Sequence, residues 1–285
     1  MAKKEPQTNK IRISAADRVF HVCNTIFLIA LALVCILPII NILAISLSGN
    51  ASVTAGLVTL WPVDFTINSY KYVAMRVDFW RSMGVSLLRC ALGVSINVFM
   101  CVITAYPLSK STHRFKARTA YAWFFFLTML LNGGLIPWFM TIKSLNLLGT
   151  IWALVLPGAV PVFSVVLMLN FFRGIPEELE EAAVMDGANA WQRFRNVTLP
   201  FLAPAFTYCI PLWLAGGFRM FDYAAVATNG GPGSASTTMT YYIYKYLFPY
   251  NKVGYGQTVA MIYLAVCIVI STFVTNKLRK REIDL

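Results

Sequence analysis

Arg89 and Arg219 lie inside apolar runs, where an ionised side chain is costly and usually faces a cavity or a partner. A guanidinium held there is a fixed cation, suited to an anionic solute moving past it. Arg219 is also three residues from Asp222, a spacing that permits a local ion pair instead. Both arginines are near enough to the ends of their runs to snorkel to an interface. A second concentration of polar groups falls between residues 173 and 200, which hold five of the twelve acidic residues: Glu177, Glu178, Glu180, Glu181 and Asp186.

The other reactive side chains argue against other chemistries. Cys23, Cys35, Cys90, Cys101, Cys209 and Cys267 all lie in or beside apolar segments, and no CxxC pair occurs. They read as small apolar helix residues, not as a metal site or a disulfide framework. His21 and His113 sit near basic stretches, and no polar constellation in the apolar runs points to a membrane-embedded enzyme. There is no GxxxxGK[ST] phosphate loop, so the chain has no means of hydrolysing ATP by itself. The net charge of +12 comes from basic residues that flank apolar runs, a pattern of membrane topology and not of nucleic-acid binding.

Apolar runs must position these residues. The chain is 58% hydrophobic and 13% charged, against about 25% charged in a soluble domain. Six runs, at about 22–47, 82–107, 119–141, 150–172, 201–221 and 257–276, approach or exceed the roughly 20 residues that cross a bilayer. Hydrocarbon offers no water to backbone groups, so the runs must be helices. The predicted fold class is therefore an all-α membrane protein with about six transmembrane helices. The first run follows a basic segment but is too long for a signal peptide and ends without a clean cleavage site, so it reads as a retained helix. The third carries Asn132, Gly133 and Gly134, and the fourth is interrupted by Pro157 and Pro161. The segment 48–79, with Trp61, Pro62 and Asp64, suits the outer interface.

Sixteen of the 24 Lys/Arg fall in residues 1–20, 108–118, 173–200 and 277–285, which predicts that both termini are cytoplasmic. The expected organisation is a cytoplasmic segment 1–20, a transmembrane domain 21–276 with a cytoplasmic loop at 173–200, and a cytoplasmic tail 277–285. Within that loop, Pro176 fits the first turn of a helix, and the acids after it complement the helix dipole. Gly187 permits a turn closed to residues with a side chain. Trp191, Phe194 and Val197 at helical spacing predict a second short helix over about 189–197, and Pro200 marks entry to the fifth run. Such a rigid two-helix element could receive a partner's push and pass it to the helices on either side.

These residues resemble the coupling loop, the EAA loop, of type I ABC importer permeases. The family pattern is Glu-Ala-Ala, three residues, Gly, nine residues, an aliphatic residue, any residue, Leu-Pro. Glu181, Ala182, Ala183, Gly187, Val197, Leu199 and Pro200 meet it, with Val197 where Ile is commoner. The runs 132–137 and 170–179 and the stretch Tyr106–Ser109 are similar to carbohydrate-uptake permeases of the maltose and oligosaccharide class. Thr228–Gly233, followed by Ser/Thr and a Tyr-rich stretch, is similar to the partner-type subunit of such heterodimers, so either half of the pair stays open.

The resemblance, which covers about residues 20–285, implies a multi-pass subunit of the bacterial cytoplasmic (inner) membrane. Its implied partners are a second permease subunit, two ATPase subunits that carry ATP and Mg, and an extracytoplasmic solute-binding protein that delivers a sugar or oligosaccharide. The chain itself needs no cofactor and is not an enzyme. Glu181 is the expected ATPase contact, Ala182 and Ala183 allow close docking, and Gly187 supplies the turn. Arg89 and Arg219, if they line the pathway, would favour an acidic sugar such as a uronide. Tyr241, Tyr242, Tyr244 and Tyr246 fit a headgroup belt somewhat better than a sugar-stacking face. The alternative class is an ATPase-independent secondary transporter or channel, though few acids lie in the runs and no internal repeat is evident.

Overall fold

A computed structural model describes residues 15–131, 133–231, 236–280 and 282. The basic residues Lys3, Lys4, Lys10, Arg12 and Arg281, together with Asn132, Pro232 and Gly233, lie outside the described residues. Among the described residues, fourteen α-helices follow in order: α1 (Ala15–Ser46), α2 (Asn50–Thr54), α3 (Asn68–Met75), α4 (Val77–Ser109), α5 (Arg118–Leu130), α6 (Leu135–Ser144), α7 (Trp152–Val155), α8 (Val162–Arg173), α9 (Glu177–Met185), α10 (Ala190–Arg193), α11 (Leu199–Phe201), α12 (Ala203–Phe218), α13 (Met239–Leu247) and α14 (Val253–Arg279).

Three of these, α1, α4 and α14, are each long and apolar enough to cross a bilayer unaided. The third and fourth predicted spans are bent pairs, at the Gly133-Gly134 and Pro157/Pro161 breaks the sequence shows, while the 201–221 run is the single helix α12, bent away from the segment before it. α5 and α6 diverge by 116°, the segment Trp152–Gly158 and α8 by 48°, and Ala190–Phe201 and α12 by 67°. Each break has a local cause. Gly134, with φ +78, precedes α6, a left-handed backbone that glycine adopts without steric cost. Pro161 caps α8 and Pro157 sits in the 3₁₀ turn Leu156–Gly158, where ring closure removes the amide donor that would continue a helix. Asn97 braces that break, its carboxamide nitrogen assigned toward Gly158 O at 2.9 Å and Ala159 O at 3.3 Å. Pro200 in α11 and Pro204 near the start of α12 flank the third bend.

The second short helix of the 173–200 segment also differs from its expected form. A capping box at Asn189 and Gln192 starts it. After Arg193 it widens into a π turn over Phe194–Thr198 and then continues as α11. Pro200 cannot donate the regular helical hydrogen bond, so the ladder shifts register upstream of it.

Among the described residues, two large clusters of buried residues form most of the core. One joins α4, α12, α13 and α14 through Phe79, Met83, Leu214, Phe218, Met239, Val259 and Tyr263. The other joins α4, α8 and α12 near their opposite ends through Cys101, Ala105, Met168, Leu202, Ala205 and Cys209. The fully buried small residues Cys101, Ala105, Ala205 and Cys209 let these helices approach closely, as membrane helices require when lipid supplies no hydrophobic drive between them. Trp213 Nε1 donates to Ser164 Oγ at 2.9 Å, tying α12 to α8. Outside these clusters most large apolar side chains are exposed, including nearly all of α1, which is the surface of a chain solvated by lipid or by other membrane helices.

The bundle has two distinct ends. At the basic end lie the start of α1, the end of α4, α9 to α11 and the end of α14. At the far end the segment 48–79 folds back over α1 and α14: Val63 N donates to Ser48 Oγ at 3.0 Å, Ser46 Oγ lies 2.9 Å from Tyr70 Oη, and Thr258 Oγ1 donates to Ser46 O at 3.3 Å. α13 packs here against α4 and α14. It buries Tyr241, Tyr242 and Tyr246 and exposes only Tyr244 among the four tyrosines, which corrects the headgroup-belt reading for three of them. The helical period carries residues 242 and 246 to one inward face.

Candidate functional site

At the basic end, α9 stops in a full C-terminal motif. Gly187 N donates to Val184 O at 3.0 Å and Ala188 N to Ala183 O at 2.9 Å, with Gly187 at φ +78. This pattern satisfies two carbonyls that a helix end otherwise leaves open, and it calls for glycine at the left-handed position. Glu181 and Ala182 are exposed, Ala183 is half-buried, and the exposed apolar side chains of Val184, Met185 and Trp191 stand beside them. Met185 is 89% exposed and Trp191 66%. Glu181, Glu177, Val184 and Met185 line a groove of about 380 Å³ with Arg114 and Arg193. Of the remaining pattern residues, Val197 is in the π turn, and Leu199 and Pro200 are in α11, where the loop joins α12.

The loop is braced to the end of α4 by contacts that sequence reasoning missed. Glu180 accepts from Lys110 Nζ at 2.5 Å and lies 3.8 Å from Arg114 Nη1, its side chain 17% exposed. Lys110 Nζ also rests 4.8 Å above the Tyr106 ring. Tyr106 meets Phe194 edge-on at 5.6 Å and Phe172 at 5.7 Å. Trp191 and Phe194 stack at 5.9 Å, the pairing their spacing suggested. In the sequence, Lys110 and Arg114 speak only to topology. Nothing local in the sequence distinguishes a lysine that compensates membrane charge from one that pins a glutamate.

The two buried-run arginines part company. Arg89 is 7% exposed, and its guanidinium donates to Gly217 O at 2.7 Å and Leu154 O at 3.3 Å. It thereby joins α4, α7 and α12. Gly217 is required for that approach, because a Cβ there would stand 2.8 Å from Cys90 Sγ and 3.1 Å from Arg89 Nη1. Arg219 is instead exposed and lines a cavity of about 630 Å³ together with Asp222, Tyr223, Trp138, Gly133 and Gly134. Among the described residues Arg219 and Asp222 form no ion pair, so the local pair that their spacing permits does not form.

Trp138 stacks on Tyr223 at 4.3 Å with an interplanar angle of 17°. Its Nε1 is buried and has no hydrogen-bond partner among the described residues. The cavity thus gathers a free guanidinium, a carboxylate, an aromatic pair and an open N–H donor beside the break between α5 and α6. Such a set can bind a polyhydroxylated ring with an acidic substituent: the carboxylate and N–H take hydroxyls, the rings take C–H faces and the cation takes the anion. The Gly133-Gly134 break was visible in the sequence. The Trp138–Tyr223 pairing was not, because it joins residues 85 positions apart.

The sequence has known relatives. Residues 90–282 match the family model for the binding-protein-dependent transport system inner membrane component. The chain is 37% identical over 214 residues to Protein LplC of Bacillus subtilis, covering 75% of this chain and 72% of that protein. It is 33% identical over 202 residues to the polygalacturonan/rhamnogalacturonan transport system permease protein YtcP of Bacillus subtilis, covering 69% and 70% respectively. Among solved structures, it superposes with a TM-score of 0.82 and 28% identity on a chain of a bacterial ABC transporter involved in import of the acidic polysaccharide alginate, over 92% of this chain and 98% of that one. With a multi-helix membrane fold, a loop that fits the EAA pattern and these matches, the chain belongs to the binding-protein-dependent transport system inner membrane components, as a sugar-type ABC importer permease.

Proposed function

We propose that this chain forms half of the translocation pathway of an ABC importer for an acidic oligosaccharide, a uronide, and that residues 173–200 couple it to ATP hydrolysis by partner ATPase subunits. In this reading the basic end faces the cytoplasm of a bacterium, across its inner membrane. A second permease subunit completes the pathway, two ATPase subunits dock on the basic end, and a solute-binding protein delivers the sugar at the far end. The chain contributes passage and coupling, not catalysis.

The observation that carries the substrate reading is the 630 Å³ cavity, where Arg219 stands unpaired beside the Trp138–Tyr223 stack. An unpaired cation near the membrane interior favours a solute that brings a negative charge. The relatives above agree in kind, since one is named for polygalacturonan and rhamnogalacturonan and the solved structure for alginate. Arg89 enters this reading as a support: it fixes α12, on which Gly216 lines the cavity and from whose end Arg219 projects.

The observation that supports coupling is the brace. A push on the exposed face of α9 is carried by Glu180 to Lys110 at the end of α4, and through the continuous α10–π–α11 segment to α12. Glu181, Ala182 and Ala183 form the docking face, and Gly187, Val197, Leu199 and Pro200 keep its angle to the membrane helices.

Arg219→Gln tests the substrate reading in reconstituted vesicles that contain the whole importer and are loaded with ATP. Trigalacturonate uptake should fall by about ten-fold or more, the value of one charge-assisted contact, while uptake of the neutral galactotriose stays near wild type. An equal fall for both sugars would sink the charge-selective reading.

A further inference from the structure

A second cavity at the far end, of about 470 Å³, is not used by the function proposed above. It lies between the start of α4 and the inward face of α13, and its volume is in the range of small-molecule sites. Tyr241 packs against Phe221, at 6.2 Å, a residue that lines the Arg219 cavity, while its neighbour Tyr242 lines the second.

Three cations, Arg76, Lys245 and Lys252, line this second cavity against one carboxylate, Asp78. Among the described residues none of the three forms an ion pair. Rings hold them instead: Arg76 lies 4.6 Å above Tyr72, Lys245 4.7 Å above Tyr241 and Lys252 5.9 Å above Tyr255. A cation seated on a ring face keeps N–H donors for an anion. The cavity also contains Ser82, which is 1% exposed and whose Oγ has no hydrogen-bond partner among the described residues. A buried hydroxyl left without a partner is destabilising, so its presence calls for a group that fills the site. Tyr242 and Tyr246 complete the wall, joined by a 3.2 Å hydroxyl contact. Burial, and then that hydrogen bond, push the Tyr242 phenol upward, so it stays uncharged, its proton given to Tyr246 Oη.

We infer that this cavity is an outer subsite for one carboxylate-bearing sugar unit, holding the end of the chain that passes on to the Arg219 cavity. The inference rests on the acidic-oligosaccharide reading above. The ligand carboxylate meets the three cations, a ring hydroxyl meets Ser82 Oγ, and the tyrosine faces cover the sugar's C–H surface.

The test uses the full chain in phosphatidylcholine nanodiscs, with calorimetric titration by trigalacturonate. An Arg219→Gln chain lacks the inner cation yet should still bind trigalacturonate, and should bind its methyl ester about ten-fold more weakly. Adding Lys245→Gln or Ser82→Ala should weaken the remaining trigalacturonate binding by about ten-fold, and Lys245→Arg should restore it. Binding unchanged by Lys245→Gln and Ser82→Ala overturns the outer subsite, as does displacement of the trisaccharide when phosphatidylglycerol is put in the nanodisc. If wild type binds trigalacturonate and Arg219→Gln abolishes binding, the inner reading stands and the outer subsite falls. If wild type prefers the methyl ester, both fall together.

Discussion

Single residues here do work that substitution separates cleanly. Gly187 holds φ +78 at the end of α9, and a side chain there adds about 1 kcal/mol of backbone strain. No heavy atom stands near its missing Cβ, so the chain should still insert with a large residue there, while the docking face is blocked. Gly187→Arg is therefore expected to reach the membrane at normal levels but to uncouple ATP hydrolysis from uptake in reconstituted vesicles. Normal transport by that variant would count against the coupling role. Gly217 is the opposite case, because its Cβ position is already filled by Cys90 Sγ at 2.8 Å. Gly217→Ala should destabilise the chain by about 1–3 kcal/mol, read as a lower thermal midpoint in detergent, and Cys90→Ala in the same chain should recover much of the loss. Arg89→Met should cost about as much by orphaning the Gly217 and Leu154 carbonyls. Arg219→Gln, which breaks no internal bond, should leave the midpoint nearly unchanged.

At the scale of elements, the segment 173–200, proposed above to couple, has each of its joints fixed by a different device. The start of α9 carries three acidic residues in its first turn, the α9–α10 turn has its glycine, α10 has the Asn189–Gln192 capping box, and the passage to α12 has the π turn before Pro200. Of these, the sequence announced Pro176, the acids, Gly187 and Pro200. It did not announce the π turn or the Lys110–Glu180 brace, since the first is a register shift and the second joins residues 70 positions apart. The brace is partly shielded and is worth about 1 kcal/mol to stability, yet it is the stiff link between loop and α4. Lys110→Glu should lower uptake per ATP hydrolysed, with little change in thermal midpoint. Glu180→Lys added to it should restore much of the coupling, and no recovery in the double variant would show that the brace transmits nothing.

At the scale of the molecule, the chain exposes more apolar surface than it can use alone. α1 presents apolar side chains along most of its length. Extraction in mild detergent should therefore recover a second permease and an ATPase with this chain, visible as a larger species in size-exclusion chromatography. A lone stable chain would favour the ATPase-independent class of transporter.

The sequence by itself determined that the chain spans a membrane, where its apolar runs lie and which segment fits the coupling pattern. Hydropathy, Pro and Gly act locally, and their effects can be read within a window of some twenty residues. Tertiary structure alone decided how sharply the third and fourth spans bend, and that Arg89 is spent on backbone carbonyls while Arg219 forms no ion pair among the described residues. It also decided that α13 buries Tyr241, Tyr242 and Tyr246. Those outcomes depend on which helices pack together, and packing joins residues that the sequence separates by as many as 212 positions.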